Sequence, residues 1–112
     1  MSDTNKDQFG ANYPAEYHHK IMAVTVGKTD YLILEYLVNN AFLQGTHSPR
    51  VNWREVKVHY GLNSAEINRD LSKLIKKGLI VQLDKRYLPN QSVEYCYHVP
   101  MVREEIARGA GK

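Results

Sequence analysis

Two glycines in the second half of the chain mark the ends of neighbouring helical segments. Gly61 stands in "HYGLNSAEIN" and Gly78 in "KKGLI", and a glycine in the left-handed conformation commonly ends a helix. After Gly61, either Asn63 or Ser64 can cap the next helix. That helix is apolar on one face only, at Ile67, Leu71, Leu74 and Ile75. The pattern predicts two short helices joined by a tight turn, the second of them polar over most of its surface.

The segments before this turn have the pattern of core helices. "KTDYLILEYLVNNAFLQG" repeats apolar residues at helical spacing, can be capped by Thr29 or Asp30, and stops at Gly45. "NWREVKVHYG" predicts a shorter helix that Asn52 caps and Gly61 ends. Its apolar positions are Trp53, Val56 and, as a third candidate, Tyr60.

Two apolar, β-rich runs follow the helices. "LIVQL" and "VEYCYHV" predict a hairpin whose strands are joined by the long loop "DKRYLPNQS", and "THSPRV" predicts a loop between helices. Helices followed by an antiparallel hairpin define the α+β class. Two short helices joined by a tight turn match the helix-turn-helix pattern, in which the second helix is held against a groove.

Three further stretches flank or extend these elements. Residues 1–13 are polar and without periodicity, which predicts a disordered tail. Residues 14–28 predict an N-terminal extension, for which Val24, Thr25 and Val26 leave both helix and strand open. Residues 100–112 predict a short C-terminal helix or tail.

Composition narrows the class of protein. A chain of 112 residues favours one domain, and no apolar run approaches the ~20 residues of a membrane span. The N-terminus lacks the pattern of a signal peptide, and the single Cys96 excludes an internal disulfide. The formal net charge is +3, and residues 64–86 alone carry six Lys or Arg side chains against three carboxylates. We therefore expect a reduced, cytoplasmic or nucleoid-associated protein that does not bind membranes.

Residues 29–99 resemble a winged helix-turn-helix DNA-binding domain. The likeness rests on "NWREVKVHYGLNSAEINRDLSKLIKKGLI", in which a glycine-leucine pair ends one helix and a second such pair leads into the hairpin. The resemblance implies three core helices and a wing hairpin of two or three strands, with extra terminal helices possible. It also implies that the helix at residues 64–77 enters the major groove of DNA.

A narrower local likeness is to the Z-DNA-binding winged domains. "EINRDLSKLIKKG" is similar to their third helix and places Asn68 on the asparagine that contacts phosphate. The sequence departs from that family at Ser72, which replaces its tyrosine, and at Ser64, which replaces a lysine. Pro89 in the wing is not followed by tryptophan.

The resemblance implies DNA contacts from this helix and from the wing loop, residues 84–92. The candidate helix residues are Asn63, Ser64, Ala65, Asn68, Arg69, Ser72, Lys73 and Lys76. The candidates at the wing tip are Lys85, Arg86 and Tyr87, with Asn90 and Gln91 as further donors. We expect the polar face and the wing tip to form one continuous cationic surface. The alternative is an ordinary solvated face, on which Asp70 pairs with Lys73 or Lys77.

Other patterns point to no enzyme, cofactor or metal. His18 and His19 are adjacent and make a poor chelate, and no cysteine stands at metal-finger spacing from a histidine. "GKT" at 27–29 lacks the first glycine of a phosphate-binding loop, because position 22 is Met22. We expect Cys96 to be a buried thiol.

The function expected from these observations is a DNA-binding transcriptional regulator that acts as a repressor on double-stranded DNA. A homodimer is expected because sequence-specific regulators commonly bind DNA as dimers that contact two half-sites. Two apolar surfaces are available for the dimer contact, one at Tyr17, Ile21, Met22 and Val24 and one at Met101, Val102 and Ile106. The rivals are a winged-helix adaptor that binds a protein of the transcription or replication machinery, and a plasmid or viral replication or partition factor.

Overall fold

The computed structural model describes Phe9 and residues 12–103. This part of the chain is an α+β domain with four helices and a three-stranded antiparallel sheet. The helices are α1 (Glu16–Val24), α2 (Lys28–Gln44), α3 (Trp53–Tyr60) and α4 (Ser64–Lys76). The strands are β1 (Arg50–Val51), β2 (Val81–Tyr87) and β3 (Val93–His98).

Helix α2 runs through the core, and its start differs from the prediction. Its N-cap is Gly27, while Thr29 lies inside the helix. Asp30 caps from the third helical position, since its carboxylate accepts the backbone N–H groups of Val26 and Gly27 at 2.9 and 2.8 Å. Burial raises the pKa of Asp30, but the backbone hydrogen bonds outweigh burial and the pKa is lowered. The helix ends at Gly45, as predicted, in the left-handed conformation.

The two helices around the tight turn form as predicted because their signals are local. The side chain of Asn52 accepts the N–H of Arg54, and Gly61 ends α3 with φ of 69°. Asn63 and Glu66 then form a reciprocal capping box at the start of α4. Both ends of α3 and the start of α4 are therefore set by contacts within a few residues.

The apolar face of α4 differs from the prediction at one position. Ile67, Leu71 and Leu74 are buried, but Ile75 is 41% exposed. The buried stripe passes instead through Asp70, which is 2% exposed. Because successive helical residues are about 100° apart, Ile75 lies at the border of a stripe centred on these buried side chains.

The sheet order is β1-β3-β2, with both pairs antiparallel. Strand β1 was predicted as loop, and its two residues pair with Cys96 and Tyr95 of β3. Strand β2 was predicted to end before Asp84 but continues to Tyr87, opposite Val93. The connecting turn is therefore shorter than the predicted loop.

The described residues before α2 pack against the core. Residues 14–28 contain helix α1, and its Tyr17 and Ile21 are fully buried in the core. Phe9 stacks on His59 with ring centroids 3.8 Å apart, and the phenol of Tyr13 donates to Glu35 at 2.6 Å. These contacts differ from the disorder predicted for residues 1–13, of which only 9, 12 and 13 are described.

The C-terminal region is described as far as residue 103. Val102 is buried in the core rather than available to a partner. Ile106 and most of the helix or tail predicted for residues 100–112 lie outside the described residues. Among the residues that the structure describes, no helix has both the length and the apolar character needed to cross a membrane.

Candidate nucleic-acid interface

Helix α4 presents a stripe of small and polar side chains on the side opposite its buried face. These exposed residues, called here the outward stripe, are Ala65, Asn68, Arg69, Ser72 and Lys76. Their spacing places them on one face of the helix. Ala65 and Ser72 are small, so a partner can approach the helix backbone closely between the longer side chains. The stripe therefore combines a shallow profile with amide and cationic groups.

A groove of about 290 Å³ opens beside the first half of α4. It lies between α3, α4 and the end of the hairpin, and we call it the α4 groove. Its walls are Asn52, Trp53, Arg54, Lys57, Ser64, Ile67, Asn68, Gln91, Ser92, Val93 and Tyr95. The Lys57 ammonium donates to the Ser64 hydroxyl at 2.8 Å, and the Trp53 indole N–H donates to the Tyr97 hydroxyl at 2.9 Å. These bonds join α3 to α4 and to the sheet. Burial raises the pKa of Tyr97 to about 12.

The turn Leu88–Ser92 is held by hydrogen bonds within itself. The N–H of Leu88 donates to the Ser92 carbonyl at 2.9 Å, and the Gln91 N–H donates to the Leu88 carbonyl at 3.0 Å. The Asn90 carboxamide oxygen accepts the Ser92 hydroxyl at 2.6 Å. Gln91 has φ of 68°, a conformation that is uncommon for a residue other than glycine. The turn therefore holds Gln91 at the edge of the α4 groove.

Two of the predicted cations on α4 pair with one buried carboxylate. Asp70 lies 3.2 Å from the Arg69 Nε and 3.6 Å from the Lys73 ammonium. The hydrogen bond to Asp70 raises the pKa of the Arg69 guanidinium. The predicted pairing of Asp70 with Lys73 is thus present, and Arg69 joins it. Both cations remain half or more exposed and can still approach a phosphate.

The predicted wing-tip residues are divided between the two faces of the hairpin. Lys85, Arg86 and Tyr87 lie in β2 and not in the turn. Lys85 is opposite Tyr95, which lines the α4 groove, so the two side chains share that face. Arg86 is opposite Glu94 on the other face and forms an ion pair with it. The expected continuous cationic surface therefore excludes Arg86.

The remaining candidate residues differ in whether their side chains already have a partner within the protein. Asn63 uses its side-chain oxygen to accept the Glu66 N–H at 2.8 Å, so that oxygen has a structural role. Ser64 and Lys76 are exposed, as is Tyr87, whose ring lies 5.6 Å from the Lys85 ammonium. The described residues contain no group of three or more His, Cys, Asp or Glu side chains that could hold a metal ion.

Sequence reasoning missed Arg54 and Lys57 as site residues. Both belong to α3, and only the packing of α3 against α4 brings them to the groove. Their helical positions beside Trp53 and Val56 indicate exposure but not which neighbour they face. Gln91 was expected as an additional donor, but nothing in a glutamine predicts a positive φ.

Comparisons of this chain with protein-family models, with curated proteins and with solved structures found no match. The class that the fold defines is an α+β domain with four helices and a three-stranded sheet within the described residues.

Proposed function

We propose that the chain is a winged helix-turn-helix DNA-binding protein that regulates transcription as a repressor. The order α2-β1-α3-α4-β2-β3 and the sheet order β1-β3-β2 are compatible with that fold. In this reading α4 is the recognition helix and the β2–β3 hairpin is the wing. The observation that carries the proposal is the outward stripe of α4, which is polar, low in profile and open to solvent.

The stripe suits the major groove of B-DNA, which is about 12 Å wide and admits one helix. Asn68 has the amide geometry for adenine, and Arg69 has the donors for guanine or a phosphate. Lys73 and Lys76 are placed along the same helix to contact the backbone. Arg54 and Lys57 on α3 and Lys85 on β2 extend the cationic surface on either side of the α4 groove.

A repressor needs little beyond this surface, because a protein bound over a promoter blocks the polymerase by occupancy. The same contacts would serve a replication or partition factor, which differs in where its sites lie. An unbiased selection of bound DNA sequences separates these roles, since promoter-proximal sites support repression and origin-type repeats contradict it.

A salt titration of binding to duplex DNA tests the proposal. We expect affinity to fall steeply with salt, because each neutralised phosphate contributes about −0.9 to the slope of log affinity against log salt. Lys76→Gln should flatten the slope by about one such contact. Arg103→Gln removes a cation outside the proposed site and should leave the slope unchanged. Absence of binding at low salt would contradict DNA binding.

A homodimer is also proposed, with a contact surface narrower than the sequence indicated. Tyr17, Ile21 and Val102 are buried in the core, whereas Met22 and Val26 are 54% and 82% exposed. These two side chains line an open depression of about 430 Å³ between α1 and the start of α2. We expect Met22→Glu to lower the sedimenting mass, while Val58→Glu, at another exposed apolar position, leaves it unchanged. A monomeric wild-type protein would exclude the dimer.

One observation favours the second candidate, a protein-binding adaptor. Strand β2 forms an edge of the sheet and exposes Val81, Leu83 and Tyr87. An exposed edge with apolar side chains can accept a strand from another protein. Failure to bind duplex at low salt, together with loss of partner binding in Leu83→Lys, would establish the adaptor and remove the repressor.

A further inference from the structure

The α4 groove contains an aromatic surface, at Tyr95, that a continuous duplex does not use. The outward stripe of α4 can follow base-pair edges, but the groove is recessed beside it and is walled by the half-buried ring of Tyr95. An aromatic ring stacks on a base only when that base has left its own stack. The groove therefore fits a group that protrudes from the DNA rather than a flat groove floor.

Three kinds of side chain converge there, and each matches one part of a nucleotide. Tyr95, backed by Tyr97 with ring centroids 6.2 Å apart, offers an aromatic surface for a base. Asn68 and Gln91 carry amides that can donate to and accept from a base edge. Arg54 and Lys57 carry cations for a phosphate. The volume of about 290 Å³ lies at the lower limit of the range for small-ligand sites.

Three of these polar side chains are available for a ligand, while Lys57 donates to the Ser64 hydroxyl. Within the described residues, the side chains of Arg54, Asn68 and Gln91 make no hydrogen bond or ion pair with the protein. Gln91 is also held at φ of 68° by a turn that is stabilised by hydrogen bonds within itself. Backbone strain of this kind concentrates at binding sites, where it fixes a side chain in advance. The turn thus holds an amide over the groove without using that amide.

We propose that the α4 groove binds one unstacked nucleotide of the DNA, with Tyr95 against the base, Asn68 and Gln91 at its edge, and Arg54 and Lys57 at its phosphate. This inference rests on the proposed DNA-binding function and adds a preference to it. The preferred partner is DNA with an unpaired nucleotide, as at an extruded base or a single-stranded junction.

The test compares a labelled duplex with the same duplex carrying one extrahelical adenosine. Binding is followed by anisotropy and by the emission of Trp53, the chain's single tryptophan, which lines the groove. We expect the wild-type protein to bind the second DNA about fivefold or more tightly, the effect of one stacked base. Free adenosine 5′-monophosphate, titrated separately, distinguishes a DNA-borne nucleotide from a free one.

Two variants isolate the groove from the rest of the interface. Tyr95→Leu and Gln91→Gly together should abolish the preference for the unpaired adenosine, and neither residue belongs to the outward stripe. Glycine is suited to the positive φ at position 91, so the turn is retained. Thermal unfolding of the double variant checks that the fold is intact. Lys76→Gln, at the far end of the outward stripe, should weaken binding to both DNAs by the same factor.

The outcomes separate this inference from the proposed function. Equal binding of both DNAs by the wild type, or an unchanged preference in the double variant, overturns the groove assignment and leaves duplex binding intact. Binding of adenosine 5′-monophosphate with no binding of either DNA overturns both proposals, because the groove then serves a free nucleotide. No binding of any of the three also overturns both.

Discussion

The two faces of the β2–β3 hairpin use their charges in opposite ways. On the outer face, Arg50 pairs with Asp84 at 3.1 Å and Arg86 pairs with Glu94. On the face toward the α4 groove, Lys85 has no carboxylate within ion-pair distance in the described part of the chain, and it lies near the ring of Tyr87. One face is internally neutralised, and the other carries a cation without a carboxylate partner among the described residues.

This difference shows that the number of cations in a segment does not tell how many of them lack a carboxylate partner and can bind another molecule. Residues 64–86 hold the excess of cations in the sequence. In the folded chain, three of them, at Arg69, Lys73 and Arg86, have a carboxylate partner. Arg54 and Lys57, outside that segment, have none among the described residues and line the groove. Whether a cation is left without a carboxylate partner depends on cross-strand register and helix packing, which are long-range properties.

The largest expected effect comes from removing two cations from each face in turn. Arg54→Gln with Lys57→Gln should weaken binding to duplex DNA by about tenfold at low salt and flatten the salt slope by about two phosphate contacts. Arg50→Gln with Arg86→Gln removes the same charge from the outer face. That second pair should change affinity by less than about twofold, since both of its cations are already paired.

The matched net charge of these two variants makes the comparison direct. Anisotropy titrations of both proteins at several salt concentrations give the two slopes under identical conditions. Equal losses of affinity in the two variants would mean that binding follows total charge, and the distinction between the faces would be lost.

A second effect concerns Cys96, which lies between the ion pairs of the outer face. The thiol is 5% exposed and donates to the Ser48 carbonyl at 3.4 Å. Burial raises the pKa of this thiol, Arg50 lowers it, and Asp84 and Glu94 raise it, so the pKa is raised from its ordinary value of 9.0. Because the thiolate is the nucleophile, the folded chain should be alkylated several-fold more slowly than the denatured chain at mildly alkaline pH.

The rate of alkylation should continue to rise as the pH passes the ordinary value for a thiol. Mass spectrometry after timed exposure to iodoacetamide measures it. Arg50→Gln removes the neighbouring cation and should slow the reaction further. If the folded chain reacted as fast as the denatured chain, Cys96 would be accessible to solvent, and the ion pairs of the outer face would not cover it.

A third and smaller effect is expected at α4, where the buried Asp70 pairs with the exposed cations of Arg69 and Lys73. Asp70→Asn keeps the shape of the side chain and frees Arg69 and Lys73. Affinity for duplex DNA should rise about threefold at low salt, with a steeper salt slope. The free energy of unfolding should fall only slightly, because both cations are half or more exposed and screened by solvent. Unchanged affinity would remove Arg69 and Lys73 from the interface.

The sequence predicted those parts of the fold whose signals are local. Asn52 caps α3, Gly61 ends α3 and Asn63 caps α4, each through contacts within a few residues. The structure confirms these three predictions. Strand β1 was missed because two residues carry no pattern, and only pairing with β3 makes them a strand. The end of β2 was misplaced because Lys85 and Arg86 suit a loop by composition but are held by partners across the hairpin.

The candidate site divides in the same way. The outward stripe could be predicted, since helical periodicity places Asn68 and Ser72 opposite the buried face. The α4 groove could not, because it requires the docking of α3 on α4 and the left-handed Gln91. Asp70 was predicted to pair locally, but its burial follows from tertiary packing. Local periodicity therefore finds the surface of one helix, while a site between elements requires the fold.

The smallest expected effect tests whether a cation on the outer face can be made available by freeing it. Glu94→Gln removes the partner of Arg86, and the free energy of unfolding should fall by less than about 1 kcal/mol, the range for a cross-strand pair. Affinity for duplex DNA should stay unchanged, because the freed guanidinium still points away from the α4 groove. Denaturant unfolding and salt titration measure the two quantities. A steeper salt slope in this variant would show that DNA reaches the outer face. Whether a cation can bind DNA would then depend only on whether it has a carboxylate partner, and not on the face that carries it.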